Sequence, residues 1–446
     1  MTTFENNPKT AAKDELLDEL NAWLEENWDP DLTVAEWWER LGVAGWSAPT
    51  LPKNSYGRDL SRSDSVRVST AIGEFGALGA PGGLGLMLAA PTIAAHGTQE
   101  QIDKYVRDIV TGQQAWCQLF SEPGAGSDLA GLTCKAVKDG EEYIVNGQKV
   151  WTSTGQTADM AMLIARTDPD APKHRGITYF AIDMHQPGVE TRPLREMTGH
   201  AMFNEVFLTD ARVPESAVIG DLGGGWAAAN TTLMNERAGL GSGGGGGGGF
   251  GAGPGTISGN LSRRSGDFVT AREERTKARS GGETKKKRPS SAQMLANVAK
   301  GNGKIDDPVV RQGLARLHTL GEIGRYNGER VKAMRSIGQD VPGMANISKL
   351  SMSDIVRLQR DLGLSILGAE GTLHAYNDGQ KKKNDDAKVN PFLGMITGGA
   401  LYAQAPPIYG GTDQIQKNII GERVLGLPRE PSHDKDTPFS ELPKNA

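Results

Sequence analysis

The sequence predicts an α+β protein in which two helical regions enclose a central β-domain. Apolar residues recur at three- and four-residue spacing up to about residue 114, as one buried helix face requires. Strand-like runs separated by turn dipeptides follow up to about residue 220. Helical spacing then returns in the rest of the chain. The order along the chain is therefore α, then β, then α.

The first region, residues 1–114, is predicted to be a helical domain. Leu16, Leu20 and Leu24 mark the apolar face of its opening helix, and residues 101–109 show the same periodicity. The polar, mixed-charge opening lacks the basic start and apolar run of a secretory signal. No apolar stretch reaches the roughly 18 residues of a membrane-spanning helix, so we expect a cytoplasmic protein without a membrane span.

The second region, residues 115–220, is predicted to be a β-domain. Residues 163–164 and 177–182 are runs typical of strands. Asp139-Gly140 and Asn146-Gly147 are dipeptides suited to the positive backbone angles of tight turns. We therefore expect a hairpin turn at each of the two dipeptides.

The third region, residues 221–446, is predicted to be helical, with long helices over residues 309–333 and 347–367. A flexible insertion over residues 241–292 interrupts it. The insertion is first Gly-rich and then dense in Arg, Lys and Glu without an apolar period. A homopolymeric glycine run imposes no geometry, so we favour a surface segment over a phosphate-binding loop. Residues 381–386 are predicted to form a charged loop on similar grounds.

Composition and cysteine spacing argue against a nucleic-acid-binding protein, a disulfide-rich protein and a zinc protein. The 446 residues are 37% hydrophobic and 23% charged, with a formal net charge of −5, which argues against general affinity for nucleic acid. The two cysteines, Cys117 and Cys134, lack CxxC spacing and a nearby histidine cluster. That pattern excludes a disulfide framework and a zinc-ligand motif. We therefore expect two buried, inert thiols and no metal site.

Three segments carry candidate site residues. The first, residues 121–130, is a turn of small residues that directly follows a strand-like run. Its glycines allow the backbone to approach a bound group, and Ser127 offers a hydroxyl to an anionic oxygen. Taken alone, the segment is equally well a tight turn with an Asp cap.

The second segment, residues 149–154, places the indole of Trp151 beside a row of hydroxyls. A planar cofactor needs an aromatic wall and a few hydrogen bonds, which this segment offers. The alternative is a tryptophan packed in the core of the β-domain. The third segment, residues 409–416, begins with two glycines before Thr412, which suggests a turn opening a helix. Alone it is an ordinary helix start.

Together, and in this order, the three segments resemble the acyl-CoA dehydrogenase family over nearly the whole chain apart from the insertion. The resemblance implies an N-terminal helical domain, a central β-barrel or sandwich domain and a C-terminal four-helix bundle, with FAD between the last two. It also implies α,β-dehydrogenation of an acyl-CoA thioester to the trans-2-enoyl-CoA, as in fatty acid metabolism. Relatives usually form homotetramers and pass electrons to an electron-transfer flavoprotein.

The resemblance implies roles for individual residues. The residues expected against the flavin ring are Ser121, Trp151 and Ser153. Ser127 is expected at the pyrophosphate of FAD or at the acyl-CoA. Thr412 and Gln414 match family positions that touch the adenosine-diphosphate half of FAD.

The catalytic base is not where the commonest family pattern has it. That pattern has a Glu directly before the Gly-Thr pair, and this sequence has Gly410 there. Some relatives carry the Glu before an Arg on the helix that enters the bundle, and Glu236-Arg237 resembles that arrangement. Glu236 is then the predicted base, the Gly410 N–H serves the thioester oxygen, and Arg237 is an ion-pair partner at the substrate site. The alternative for Glu236 is a solvent-facing helix glutamate.

Two departures concern contacts between subunits. Ser365 stands where the family usually has a Gln that meets FAD across the interface, and Arg264 and Phe268 are the nearest remnants of an Arg-x-x-Phe-Gly element. A heterotetramer with a related chain is therefore an alternative to a homotetramer. In it, this chain is either an active member or a non-catalytic subunit that needs its partner. An acyl-CoA oxidase is a further alternative, and straight, branched, aromatic and sterol-derived acyl groups all stay open.

Overall fold

The computed structural model describes residues 14–240, 259–280, 289–336, 339, 341–429, 431, 434 and 436–443. Its α-helices are α1 (Glu15–Asn27), α2 (Val34–Val43), α3 (Arg62–Phe75), α4 (Ala90–His96), α5 (Gln99–Gln101), α6 (Arg107–Val110), α7 (Gly225–Leu240), α8 (Ser265–Ser280), α9 (Ser291–Gly301), α10 (Pro308–Ser336), α11 (Met344–Leu367), α12 (Asp378–Asp386), α13 (Leu393–Tyr402) and α14 (Asp413–Ile419). Its strands are β1 (Trp116–Leu119), β2 (Lys135–Asp139), β3 (Glu142–Ser153), β4 (Met160–Arg166), β5 (Ile177–Asp183), β6 (Val189–Leu194) and β7 (Phe203–Pro214). Single π-helical segments lie at Gly85–Ala89, Ile102–Val106 and Ile420–Val424.

The order of helices and strands confirms the predicted α+β architecture. The predicted domain boundaries at residues 114/115 and 220/221 fall between elements and remain predictions. In the first region, α2 shows how local sequence defines an element. The Thr33 side chain accepts the Glu36 backbone N–H, while the Glu36 side chain accepts the Thr33 N–H, so two otherwise unpaired donors are satisfied. Trp37 and Leu41 then lie fully buried on the face that packs into the helical core.

The strands form one curled, seven-stranded sheet. Its order is β1-β4-β2-β3-β7-β6, and β5 pairs with β4 outside that path. β1 runs parallel to β4, whereas β2–β3, β3–β7, β6–β7 and β4–β5 are antiparallel. The predicted hairpin turn at Asp139-Gly140 is confirmed, because β2 ends and β3 begins around Gly140, which has a φ of 62°.

The predicted turn at Asn146-Gly147 is wrong, since both residues lie inside β3. The pairing of β3 with β7 shifts register between Val145 and Gly147. A Cβ at Gly147 would come within 2.7 Å of the Cβ of Cys134, the residue directly before β2. The glycine therefore permits close strand approach at a bulge, which is the other common use of glycine in a sheet.

The third region contains a compact group of four helices, α9, α10, α11 and α13, which pack around a second core. Leu295, Leu317 and Ile366 lie in this core with at most 3% of their surface exposed. The helices predicted over residues 309–333 and 347–367 are confirmed as α10 and α11.

The predicted insertion over residues 241–292 is partly corrected. Residues 241–258 and 281–288 lie outside the described residues, but α8 is a helix where a flexible segment was expected. Leu261 and Phe268 pack against the core of the first region, and Val269 is 9% exposed. Because Leu261 and Phe268 have a core to pack against, this stretch is ordered despite its charge.

The predicted loop at residues 381–386 is also wrong, because it belongs to α12. The Asn377 side chain accepts the Gln380 N–H as a helix cap, and α12 buries no residue. Capping and the favourable helix propensity of Lys and Gln are therefore sufficient for a short surface helix here.

Cys117 and Cys134 are both buried free thiols, as predicted. Burial raises the pKa of Cys134 to about 11. Over the described ranges, no helix has the length and apolar character needed to cross a bilayer. The same ranges hold no group of three or more His, Cys, Asp or Glu side chains suited to a metal ion.

Candidate functional site

The loop over residues 121–130 is held at its base by a buried ion pair. Glu122 is 6% exposed and Lys149 of β3 is fully buried, and Lys149 Nζ lies 2.9 Å from Glu122 Oε1. The carboxylate also accepts the backbone N–H groups of Thr133 at 2.7 Å and Cys134 at 2.9 Å. The pair therefore joins the start of the loop to β3 and to the segment that precedes β2.

Electrostatics assign Glu122 a structural role. Burial raises the pKa of its carboxyl, but the Lys149 ammonium and the backbone donors outweigh burial, so the pKa lies below the usual 4.5. The carboxylate is ionised at neutral pH and occupied by four donors, because Thr133 Oγ1 also donates at 2.9 Å. A group with these partners is suited to positioning the loop and not to accepting a substrate proton.

The outer part of the loop faces open space. Gly124, Gly126 and Ser127 are exposed. A Cβ at Gly124 or at Gly126 would meet no atom within 4 Å. Internal packing therefore does not require a glycine at either position, and the exposed Gly126 and Ser127 can meet an external group.

Trp151 lies at a second irregularity of β3. The pairing with β7 shifts between Lys149 and Thr152, and Trp151 has a φ of 64°, a region that non-glycine residues rarely adopt. Its side chain is 57% exposed and meets Phe203 edge-on, with ring centroids 5.9 Å apart. The bulge turns the indole out of the sheet, so the alternative of a tryptophan buried in the β-domain core is wrong.

The structure brings three of the predicted residues together at the ends of β1 and β3. The Val150 N–H donates to the Ser121 carbonyl at 2.9 Å, which places Ser121 beside Trp151. Ser153 is half-buried, ends β3 and pairs with Phe203, the residue that Trp151 contacts. An exposed aromatic ring and two hydroxyl-bearing residues thus share one edge of the β-domain.

The Gly410 turn lies between α13 and α14 in the third region. Gly410 and Gly411 have φ values of 63° and 84°, so glycine is favoured at both positions. Gln416 Nε2 donates to the Gly410 carbonyl at 2.9 Å, which closes the turn. Thr412 caps α14 by accepting the Ile415 N–H at 3.2 Å. Gln414 is exposed on the same short helix.

Asp413 anchors this turn to α11. Its carboxylate accepts from Ser353 at 2.7 Å, from Lys349 at 3.2 Å and from Arg357 at 2.6 Å. Burial raises the pKa of Asp413, but these donors outweigh it and hold the pKa below the usual 3.8. The residue between the two predicted FAD contacts is therefore a fixed anchor point.

Glu236 lies in the fourth turn of α7 and is half-buried. The helix continues to Leu240, and the side chain of Arg237 lies outside the described residues. α7 packs mainly against α4, β5 and the Gly85–Ala89 segment, whereas α14 packs mainly against α11. The approach of Glu236 to Gly410 across the site stays a prediction.

A buried hydroxyl cluster holds α7 in place. Thr232 Oγ1 lies 2.8 Å from Thr92 Oγ1 of α4 and 3.3 Å from Tyr179 Oη of β5. The three side chains are completely buried. Thr232 precedes Glu236 by one helical turn, so the cluster fixes the rotation of the helix that carries the candidate base.

Sequence reasoning missed these positioning groups. Lys149 and Asp413 both lie within segments that the sequence analysis singled out, but their ion-pair partners, Glu122 and the side chains of α11, are distant in sequence. Thr232 gave no signal, because a threonine in a helix is common and its partners come from distant elements.

Three family models match the chain. The acyl-CoA dehydrogenase N-terminal domain matches residues 3–113, the middle domain residues 117–211 and the C-terminal domain residues 290–425.

Among similar proteins, acyl-CoA dehydrogenase FadE34 of Mycobacterium tuberculosis is 37% identical over 346 residues, which covers 76% of this chain. The chain spans only 39% of that relative's length. Acyl-CoA dehydrogenase IpdE1 of the same organism is 32% identical over 394 residues, covering 88% of each chain. A solved structure described as "Tcur3481-Tcur3483 steroid ACAD" has a TM-score of 0.62 and 25% identity, covering 96% of this chain and 100% of that one.

Proposed function

Because this chain belongs to the acyl-CoA dehydrogenase family, we propose that it oxidises the α,β carbon–carbon bond of an acyl-CoA thioester to the trans-2-enoyl-CoA. One observation carries the mechanistic part of the proposal. Gly410 occupies the position where the commonest family pattern has a Glu, while Glu236 is a half-buried carboxylate on α7. A base supplied by α7 is consistent with both features.

The residues at the ends of β1 and β3 suit a flavin. The exposed ring of Trp151 offers an apolar wall, and Ser121 and Ser153 offer hydrogen bonds beside it. The exposed turn at Gly126 and Ser127 suits a phosphate group. When bound, FAD supplies the acceptor for the hydrogen that leaves the β-carbon. The proposed FAD contacts are Ser121, Ser127, Trp151, Ser153, Thr412 and Gln414.

In this proposal Glu236 takes the α-proton, since a carboxylate withdrawn from bulk water is a suitable general base. The Gly410 N–H donates to the thioester carbonyl oxygen and stabilises the negative charge that develops there. Ser127 and Arg237 are the proposed contacts to the acyl-CoA.

The acyl group, the electron acceptor and the assembly are the finer parts of the proposal. A steroid-derived thioester is the first class to test, because the similar solved structure is described as a steroid enzyme. Its description names two components, and Ser365 replaces a family residue that reaches across the subunit interface. Both points support a heterotetramer with a related chain, which passes its electrons to an electron-transfer flavoprotein.

An anaerobic absorbance titration tests the proposal. The full chain, purified alone and with a co-expressed related chain, is loaded with FAD and mixed with straight, branched, aromatic and steroid-derived acyl-CoAs. We expect one class to bleach the flavin band. Glu236→Gln should slow bleaching by at least about a hundredfold, because the base is lost while the shape is kept. Glu74→Gln, an exposed glutamate of α3, is the matched control.

The outcomes separate the alternatives. Bleaching at the wild-type rate in Glu236→Gln would show that another group is the base. FAD binding only in the presence of the second chain would make this chain a partner-dependent subunit. Oxygen uptake with peroxide release after bleaching would identify an acyl-CoA oxidase instead of a dehydrogenase.

A further inference from the structure

A segment near residue 440 packs on the β-domain, although the residues that it contacts lie about 270 positions earlier in the sequence. We call Asp434 together with residues 436–443 the strap. The Phe439 N–H donates to the Ala171 carbonyl at 3.0 Å, and the Ser440 N–H donates to the Pro169 carbonyl at 2.8 Å. The strap is thereby attached to the connection between β4 and β5.

The strap covers a buried guanidinium. Arg166, the last residue of β4, is 4% exposed, and its Cζ lies 3.4 Å from the centroid of the Phe439 ring. Its Nη2 donates to the Ala130 carbonyl at 2.6 Å and its Nε to the Leu132 carbonyl at 3.1 Å. A cation over an aromatic face is attracted to the ring and shielded from water by it. Phe439 therefore stabilises the side chain that holds the end of the loop over residues 121–130.

A second connection reaches the same loop through charge. Lys173 Nζ lies 2.5 Å from Asp434 Oδ2 of the strap. The same ammonium lies 3.2 Å from both carboxylate oxygens of Asp128, which follows Ser127 directly. The Lys173 side chain is only 13% exposed, so its position depends on both carboxylates.

We infer that the strap positions the loop over residues 121–130, acting through Arg166 and Lys173. Phe439 and Asp434 are thus positioning residues and do not touch the reacting groups. The consequence for FAD rests on the proposed function, since only that proposal gives the loop a cofactor. The effect of the strap on the loop itself does not rest on it.

Hydrogen–deuterium exchange of the full chain tests the inference. The amides of Ala125, Gly131 and Leu132 are hydrogen-bonded within or at the end of the loop and report its opening. We expect Phe439→Ala and Asp434→Asn each to speed exchange there by about fivefold. Phe439→Tyr keeps the aromatic face and should retain wild-type exchange.

Two variants serve as matched controls. Phe392→Ala removes an exposed phenylalanine of the third region, and Asp436→Asn removes a carboxylate two residues from Asp434. Neither should change exchange in the loop. Wild-type loop exchange in both Phe439→Ala and Asp434→Asn, with faster exchange at Phe439 and Ser440, would overturn the inference. If one variant does not fold, the other carries the test.

A parallel FAD titration separates this inference from the proposed function. If the variants whose loop opens also bind FAD with a larger dissociation constant, the strap inference and the assignment of the loop to FAD are both supported. Faster loop exchange with unchanged FAD binding leaves the strap inference standing and contradicts the assignment of the loop to the cofactor.

Discussion

Burying the ion pair of Lys149 and Glu122 costs free energy of desolvation, and the surrounding fold offsets this cost with further hydrogen bonds. Removing two charges from water is unfavourable, and the attraction between them offsets this cost only when further hydrogen bonds complete the site. Here the backbone of Thr133 and Cys134 and the carbonyl of Phe120 provide them. The pair therefore determines where the loop leaves the sheet more than it raises net stability.

Lys149→Met tests this view. We expect it to lower the free energy of unfolding by about 3–5 kcal/mol, because Glu122 is left as an uncompensated buried charge. Lys138→Met is the matched control, since Lys138 pairs with Glu215 at the surface and should cost less than about 1 kcal/mol. Urea denaturation followed by tryptophan fluorescence gives both values. Equal losses of unfolding free energy in the two variants would contradict this role of the buried pair.

The lowered pKa of Asp413 predicts that the stability of the fold depends on pH in the acid range. Its folded pKa lies below 3.8, so it contributes stability that is fully present above its unfolded pKa and lost as pH falls through its folded pKa. The stability difference between the wild type and Asp413→Asn should therefore be constant above about pH 5 and shrink at lower pH. Thermal unfolding from pH 7 to pH 3 measures it.

The control for that pH series is Asp385→Asn on the exposed helix α12. It should run parallel to the wild type throughout. A difference for Asp413→Asn that stays unchanged down to pH 3 would show that the anchor does not depend on ionisation.

Among the elements, strand β3 connects the core of the β-domain to the candidate site, because it carries both the buried Lys149 and the exposed Trp151. It is 12 residues long, and two register shifts divide it into a regular start, a close approach at Gly147 and an end that turns Trp151 outward. Bulges increase local strand twist and redirect side chains, which a regular strand cannot do with its fixed alternation.

Gly147→Ala should therefore destabilise the β-domain. A Cβ there would lie 2.7 Å from the Cys134 Cβ, which requires a shift of the neighbouring backbone. We expect a loss of about 1–3 kcal/mol. Gly321→Ala in the exposed part of α10 meets no atom within 4 Å and should instead stabilise by about 0.5–1 kcal/mol. Chemical denaturation distinguishes the opposite signs.

On the scale of the whole molecule, residues 261–268 of the third region form hydrogen bonds and apolar contacts with the helices of the first region. The Val34 and Ala35 N–H groups at the start of α2 donate to the carbonyls of Arg263 and Leu261 at 2.9 and 3.0 Å. Donors at the first turn of a helix have no partner within the helix. Residues more than 200 positions away thus satisfy them, and Phe268 packs beside the same helices.

Phe268→Ala should increase local opening of the first region, although Phe268 itself belongs to the third region in sequence. Loss of a partly buried ring should speed amide exchange over residues 28–41 by about tenfold. Glu273→Ala, on the exposed side of α8, is the control and should leave exchange there unchanged. Faster exchange confined to α8 itself would contradict a shared core.

The sequence was informative where one local pattern has one structural meaning. The periods of α10 and α11 and the turn at Asp139-Gly140 are of this kind. Asn146-Gly147 misled because the same dipeptide suits a turn and a bulge, and the distant Cys134 decides between them. α8 was missed because its few apolar residues gain meaning only beside the core of the first region. The contacts of Lys149 and Asp413 likewise depend on distant partners.

The two buried thiols also have a practical use. Their burial keeps them protonated and out of reach of alkylating reagents, so the native chain should give almost no background in maleimide labelling. A cysteine introduced on the exposed side of α7 and another on α14 would then be the only reactive pair. Spin or fluorophore labels at those two positions would measure how far the helix bearing Glu236 lies from the turn bearing Gly410 in solution.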